Sequence, residues 1–367
     1  MAGPQWTQFD RRVMRLALRL ARRAAGRTSP NPMVGAVLVR GGKIVGKGYH
    51  RFAGGDHAEI AALKQAGLKA RGATLYLTLE PCNHQGRTPP CTRALIRAGI
   101  KDVVAGTRDP NPLVAGRGLR QLRRAGIGVR VGLLETECRE LVEAFAKFIT
   151  KGSPLVILKL AGTLDGKIAA MTGDARWISG VASRHSVHRL RTQVDALLVG
   201  SATVRADDPQ LTCRIPGGRN PLRVVLAGDL RLPLSANIFR QPDRDKTIVA
   251  TGPKAANNRL RAIEALGAQV WRLPLTRGQV AWRPLLRKLA ASGVVSVMIE
   301  GGAAVAASAL KAKVVDKAVF FYAPKILGGD ARSMIGPLGL RRVSQAIALK
   351  RMAVARSGGD ICVVGYL

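Results

Sequence analysis

Three residues far apart in this chain are suited to meet at one point. His57-Ala58-Glu59, Pro81-Cys82 and Cys91 offer one imidazole and two thiols. Such a set suits a tetrahedral zinc with three protein ligands and an open fourth position for a water. Glu59, two residues from the histidine, stands where a proton shuttle belongs. The metal lowers the pKa of its water toward about 7, so a nearby carboxylate can take the proton and pass it on. A competing reading makes His84 a fourth ligand and the site a closed staple, but it leaves Glu59 without a purpose beside the metal. His50 reads equally well as a strand-end histidine.

Periodicity places these residues on a layered α/β framework. Residues 9–24 carry apolar side chains at helical spacing, with arginines opposite; a surface amphipathic helix fits them better than a transit segment. Residues 34–40 and 43–49 read as strands joined by Gly41-Gly42, a hairpin signal. Helices are predicted over 57–66, stopped by Gly67, and over 92–98, 119–125 and 134–149; strands over 74–79, 102–105 and 127–131. His57 then opens a helix and Cys82 follows a strand, so backbone N–H groups point toward the thiolates. Lys151-Gly152-Ser153-Pro154 breaks the last helix, dividing the chain into domains 1–150 and 151–367. In the second, strands are predicted over 155–160, 196–199, 223–226, 247–250, 269–273, 295–299, 318–322 and 361–365. Helices are predicted over 183–191, 283–291 and 303–310. Glu300-Gly301-Gly302 falls between a strand and a helix. It is either a phosphate cradle or a plain turn, and no GxGxxG fingerprint accompanies it.

Bulk properties narrow the classes. A length of 367 residues suits two domains, and no run of 18 apolar residues predicts a membrane span. Residues 1–10 lack the apolar stretch of a signal peptide. The cysteines outside the zinc set, Cys138, Cys213 and Cys362, are scattered and odd in number, which argues for a reducing cytoplasmic setting. The net charge of +36 raises nucleic acid as a partner, but the basic residues form no block and aromatics are only 4%. The charge therefore reads mainly as a solvated arginine-biased surface, with part of it steering phosphorylated small molecules.

The H-x-E and P-C motifs are those of zinc base deaminases, whose second cysteine usually follows in a C-x-x-C. Here eight residues separate Cys82 from Cys91. With Ser29-Pro30-Asn31-Pro32-Met33-Val34-Gly35, Gly86-Arg87-Thr88-Pro89-Pro90 and Asp109-Pro110-Asn111-Pro112, that insert resembles the deaminase domain of the bifunctional riboflavin-biosynthesis deaminase/reductases. The resemblance implies a cytidine-deaminase-like three-layer α/β/α domain, zinc on His57, Cys82 and Cys91, and Glu59 as the catalytic shuttle. It also implies hydrolytic deamination of 2,5-diamino-6-(5-phosphoribosylamino)pyrimidin-4-one. Asn31 and the loop 83–88, Arg87 included, are expected to hold this substrate. The rival is a nucleic-acid (transfer-RNA) base deaminase with an accessory domain, which the cysteine spacing disfavours. A basic RNA-binding protein with a structural zinc is a further, non-enzymatic rival.

The second half continues the resemblance in order. Lys159-Leu160-Ala161-Gly162-Thr163-Leu164-Asp165-Gly166-Lys167, Arg176-Trp177-Ile178-Ser179, Ala206-Asp207-Asp208-Pro209 and Pro324-Lys325-Ile326-Leu327-Gly328-Gly329 are similar to the family's reductase domain. A dihydrofolate-reductase-like α/β fold follows, with NADPH reduction of the ribosyl group to a ribityl chain. The resemblance places the cofactor on Ala161, Trp177, Thr203 and Asp207, and on Gly302, Ala303, Ala304, Val305, Ala306, Ala307 and Ser308. It places the substrate on Ala175, Arg191, Leu211, Arg214 and Glu300. Arginine forks suit a phosphate. Read without the resemblance, Trp177 is core, the arginines are solvated surface and Asp207 is a cap. The family usually has Ser where Thr163 stands, which keeps the hydroxyl. It has Asp-Ser where this chain has Ala227-Gly228, so a side-chain contact to cofactor at Gly228 is not expected. The family also suggests a homo-oligomer.

Overall fold

A computed structural model describes residues 5–83 and 90–367. Contacts divide the chain into two compact units, Met1–Gly152 and Ser153–Leu367. Residues 84–89 lie outside the described residues, and with them His84, Arg87 and most of the expected substrate loop.

The first unit runs α1 (Gln8–Arg22), β1 (Gly35–Arg40), β2 (Lys43–Tyr49), α2 (Ala58–Ala66), β3 (Thr74–Leu79), α3 (Cys91–Arg97), β4 (Asp102–Thr107), α4 (Arg117–Arg124), β5 (Gly128–Val131), α5 (Glu135–Leu141) and α6 (Glu143–Lys151). Its sheet has the order β2-β1-β3-β4-β5. β1 is antiparallel to both neighbours, and β3, β4 and β5 are parallel. Alternation along the strands sends side chains to two cores. Val37, Val39, Tyr76 and Val104 meet α1 and α5; Ala36, Leu38, Leu75, Leu77 and Val103 meet α2, α3 and α4. The result is a three-layer α/β/α unit.

Close approach of backbone decides where α2 lies. Gly46 and Gly48 share one face of β2, and a Cβ on either would stand 2.4 Å from the Ala62 carbonyl or 2.2 Å from that of Ala58. Alanines 58, 62 and 66 complete the helix side of this contact, all buried. His57 is the N-cap of α2, and Gly67, at φ +54°, ends it. α1 opens with a capping box between Thr7 and Asp10, and Asp10 also accepts the Tyr76 hydroxyl at 2.5 Å, fixing the helix to β3.

The single helix expected over 134–149 is two. Cys138, Leu141 and Val142 are buried, but no residue of α6 is. The inward-facing run ends at Leu141 and Val142. The backbone opens at Val142 to φ −112° and ψ 14°, and α6 leaves the core.

The second unit runs β6 (Leu155–Thr163), β7 (Lys167–Ala169), α7 (Val181–Gln193), β8 (Ala196–Gly200), α8 (Ser201–Asp207), β9 (Leu222–Leu226), β10 (Thr247–Thr251), α9 (Asn257–Ala265), β11 (Gln269–Arg272), β12 (Leu275–Thr276), β13 (Gln279–Val280), α10 (Trp282–Ala291), β14 (Ser296–Ile299), α11 (Ala303–Lys311), β15 (Lys317–Ala323), β16 (Arg332–Ser333), β17 (Lys350–Ser357) and β18 (Asp360–Tyr366). Its main sheet has the order β11-β10-β9-β8-β14-β6-β15-β18-β17, parallel from β11 to β15 and antiparallel beyond. Trp282, Leu285 and Leu289 of α10 and Ala306, Ala309 and Leu310 of α11 cover one face. The short helices α8 and α9 and the edge strand β17 were not expected from the sequence. β17 is exposed along nearly all its length, so it shows no buried-face alternation.

Gly48→Val should push α2 off β2, since overpacking against backbone has no flexible neighbour to yield. A loss of about 2 kcal/mol in the first unit's stability is expected, with deaminase turnover falling and reductase turnover retained. Thermal melting and the two separate assays check this.

Candidate functional site

The expected metal set converges in the first unit. His57 caps α2, Cys82 lies just past β3, and Cys91 opens α3. His57 Nδ1 is 3.2 Å from Cys91 Sγ and 3.6 Å from Cys82 Sγ, and the backbone N–H of Cys91 donates to Cys82 Sγ at 3.4 Å. The three donor atoms lie within 4.8 Å of one another. Zinc–nitrogen and zinc–sulfur bonds of ordinary length at a tetrahedral angle separate N from S by about 3.6 Å, so these residues fit the ion. The Cys82 thiol is drawn down to about 4, first by its hydrogen bond with Cys91, against burial, and then by His57. Cys91 is pushed up by the same bond and by burial.

Glu59 is 3% exposed and its carboxyl lies against the Cys91 thiol. Burial raises it to about 7, with His57 opposing. It faces a cavity of about 340 Å³ lined also by Asn31, His50, His57, Cys82, Asp109 and Asn111. His50 proves to be more than a strand-end residue. Its Nδ1 lies 3.0 Å from the Asp56 carbonyl, which can only accept, so Nε2 is left to accept from the Asn31 amide at 3.2 Å. The ring also packs edge-on against His57, 5.4 Å between centroids. Asn31 is thereby oriented, and its carbonyl oxygen has no hydrogen-bond partner among the described residues.

The sequence reading missed Glu80. Buried directly after β3, its carboxylate accepts the N–H groups of Asp109, Gly116 and Leu119 at 3.2, 2.9 and 3.3 Å. It ties the strand end bearing Cys82 to the loop bearing Asp109 and Asn111. Burial, and then Glu80 and Cys82, lift Asp109 to about 6 against the Asn111 N–H it accepts. No sequence signal marks Glu80, because its partners lie about 30 to 40 residues on.

In the second unit a cavity of about 830 Å³ opens among β6, the α8 N-terminus and the turn from β14 into α11. Of the expected cofactor residues it gathers Ala161, Thr203, Asp207, Gly302 and Ala303, and of the expected substrate residues Ala175 and Glu300. Gly302 N–H donates to Thr203 Oγ at 3.1 Å, so the two glycines form a built turn. Ala304 to Ser308 run on into α11 beyond the cavity wall. Ser308 is engaged by the Trp282 indole N–H at 3.0 Å. Trp177 is not core: it is 63% exposed, stands outside the cavity, and carries Arg184 over its ring at 4.5 Å. The Thr163 hydroxyl accepts the Lys167 N–H and donates to Asp165, both at a turn. At Gly228 a Cβ would stand 2.8 Å from the Gly278 carbonyl.

Arg191 and Glu300, read separately from the sequence, form one bidentate pair, Nε to Oε1 at 2.9 Å and Nη2 to Oε2 at 2.8 Å. Lys159, also lining the cavity, stands 3.9 Å from Glu300 Oε2. Burial works to raise the Glu300 carboxyl, but Arg191 and Lys159 bring it down to about 2. Leu211 is buried and Arg214 is exposed nearby.

Comparison with known proteins fits both sites. Residues 7–107 match the family model of the cytidine and deoxycytidylate deaminase zinc-binding region, and residues 154–363 match that of the RibD C-terminal domain. The riboflavin biosynthesis protein RibD of Aquifex aeolicus is 46% identical over 97% of this chain and 98% of its own length. That of Escherichia coli K12 is 40% identical over 96% and 98%. The solved structure of Acinetobacter baumannii RibD superposes with a TM-score of 0.85 at 36% identity, covering 98% and 99% of the two chains. Fold and sites define a zinc-binding deaminase unit joined to an NADPH-dependent reductase unit of dihydrofolate-reductase-like fold. The chain belongs to the RibD family of bifunctional riboflavin-biosynthesis enzymes.

Glu300→Gln leaves Arg191 and Lys159 without their counter-charge, and a loss of about 3 kcal/mol at pH 7 is expected. The folded-state carboxyl lies below its ordinary 4.5, so its ionisation stabilises fully above that value and ceases to as pH falls toward about 2. The gap between wild type and variant should therefore narrow from pH 7 to pH 3, as read by denaturant unfolding.

Proposed function

We propose that the first unit deaminates 2,5-diamino-6-(5-phosphoribosylamino)pyrimidin-4-one and that the second reduces the ribosyl group of the product. The observation that carries the reading is the buried Glu59 beside a His57, Cys82 and Cys91 set of zinc dimensions. A relative from Thermotoga maritima, 39% identical with a TM-score of 0.84, is described as a diaminohydroxyphosphoribosylaminopyrimidine deaminase and 5-amino-6-(5-phosphoribosylamino)uracil reductase.

When bound, zinc on the three ligands supplies the Lewis acidity that makes water nucleophilic at neutral pH, and NADPH supplies a hydride. Glu59, raised to about 7, takes a proton from the attacking water and returns one to the departing nitrogen, so water enters and ammonia leaves. Asn31, fixed by His50, and Asp109 and Asn111, fixed through Glu80, present polar groups to the pyrimidine. In the second unit Thr203, Asp207 and the turn at Gly302 line the cofactor's side of the cavity. Glu300 accepts ring N–H groups; a bound cofactor would supply the hydride to ribose C1′ as the C1′–O4′ bond breaks, with O4′ taking a proton from water to become the ribityl hydroxyl.

The substrate is a small molecule, and no helix among the described residues is long and apolar enough to cross a membrane. None of the five cysteines is in a disulfide, which supports a cytoplasmic setting. We further read the chain as a homo-oligomer that takes no nucleic-acid substrate.

The test is turnover by the pure protein with the diaminopyrimidine and NADPH, ammonia and nicotinamide absorbance being followed separately. Glu59→Gln should cut ammonia release by about 10²- to 10⁴-fold while sparing reduction of the pre-deaminated intermediate. A chelator should do the same. Full ammonia release in Glu59→Gln, or editing of transfer RNA by the wild type, refutes the reading.

A further inference from the structure

The helix α6 is not used by its unit for packing. None of its nine residues is buried, and Phe145 and Phe148 belong to neither of the unit's cores. A helix running on unbroken from α5 would carry Phe145 after Cys138 and Leu141, at helical spacing, onto the stripe that faces α1. The opening of the backbone at Val142 takes it elsewhere. Phe145 is partly buried, its ring meets no other aromatic ring among the described residues, and it lines the cavity of about 340 Å³ that Glu59 faces. It is the one residue of α6 to do so. No other phenylalanine, tyrosine or tryptophan among the described residues shares that wall.

The other walls divide by chemistry. Asn31, Glu59, Asp109 and Asn111 line the cavity with polar groups. Such groups suit the edges of a flat heterocycle, where its N–H groups, ring nitrogens and amino groups lie. The faces of that heterocycle offer no hydrogen bonds of comparable strength and are matched by aromatic or apolar side chains. We propose that Phe145 is a substrate-binding residue of the deaminase unit, its ring stacking on one face of the pyrimidine and setting the plane in which the amino-bearing carbon meets Glu59. This rests on the deaminase reading. Stacking takes apolar ring surface of both partners out of water and aligns their quadrupoles. The break at Val142 then has a use: it withdraws from the core an aromatic side chain that the spacing would bury there, and gives it to the cavity.

The zinc-loaded full chain is assayed for ammonia release and for its inhibition by two probes. One is 2,5,6-triaminopyrimidin-4-one, the heterocycle without the sugar; the other is ribose 5-phosphate, the tail without the heterocycle. For Phe145→Ala we expect KM for the diaminopyrimidine and the inhibition constant of the triaminopyrimidine to rise together by about tenfold. The constant for ribose 5-phosphate should stay put, and kcat should change by less than KM. Phe145→Tyr keeps a π face and should hold KM within about twofold of wild type, whereas Phe145→Leu keeps apolar volume alone and should raise it about threefold or more. Equal weakening of both probes, a loss confined to kcat, an unaltered Phe145→Ala, or full retention in Phe145→Leu overturns the proposal. In the wild-type chain, the ring-proton resonances of Phe145 should move upfield on titration with the triaminopyrimidine and not with ribose 5-phosphate; unmoved resonances overturn the proposal however the variants fold. A wild type that releases no ammonia from the diaminopyrimidine refutes the deaminase reading instead.

Discussion

The nearness of one helix to one hairpin underlies the deaminase site. A helix can bring a histidine and a carboxylate to the end of a sheet only if its axis lies low over the strands. Gly46 and Gly48 remove the side chains that would hold α2 away, and Ala58, Ala62 and Ala66 do so from the other side. His57 then sits at the helix start, free to point its Nδ1 at two sulfurs, and Glu59 is carried inward on the first turn. Burial there raises the carboxyl into the range where it can both take and give a proton. Packing and proton chemistry are consequences of the same absent side chains.

Each unit also places a largely covered carboxylate directly after a sheet strand, and the two are used in opposite ways. Glu80 is satisfied by backbone N–H groups and organises a loop. Glu300 is satisfied by cations and keeps one edge toward the cavity. A carboxylate held by peptide groups is a fixed post. One held by a guanidinium and an ammonium is still ionised and still able to accept from a ligand. Parallel sheets favour this position because strand C-termini open onto crevices.

Much of this was legible in the sequence, for physical reasons. The cluster of His57, Cys82 and Cys91, which could hold a metal ion, was, since metal chemistry restricts residue type and spacing. Strands such as β3 were, because buried runs bounded by Gly and Pro leave little choice. What was not legible depends on partners distant in sequence. His50 gains its role from the Asp56 carbonyl and the Asn31 amide. Arg191 and Glu300 are 109 residues apart, and nothing local says that they neutralise each other. The break at Val142 was missed because the apolar spacing runs on through Phe145 and Phe148 past it, and the exposed strand β17 because it buries almost none of its residues.

The closeness of Gly228 to the Gly278 carbonyl limits what substitution can do there. A side chain cannot simply be introduced there, because the tip of the β12-β13 hairpin fills the space its Cβ would take. The hairpin would have to withdraw first, and nothing rewards that step alone. A side chain at this position therefore demands two changes at once, one in the strand-end turn and one in the hairpin that overlies it.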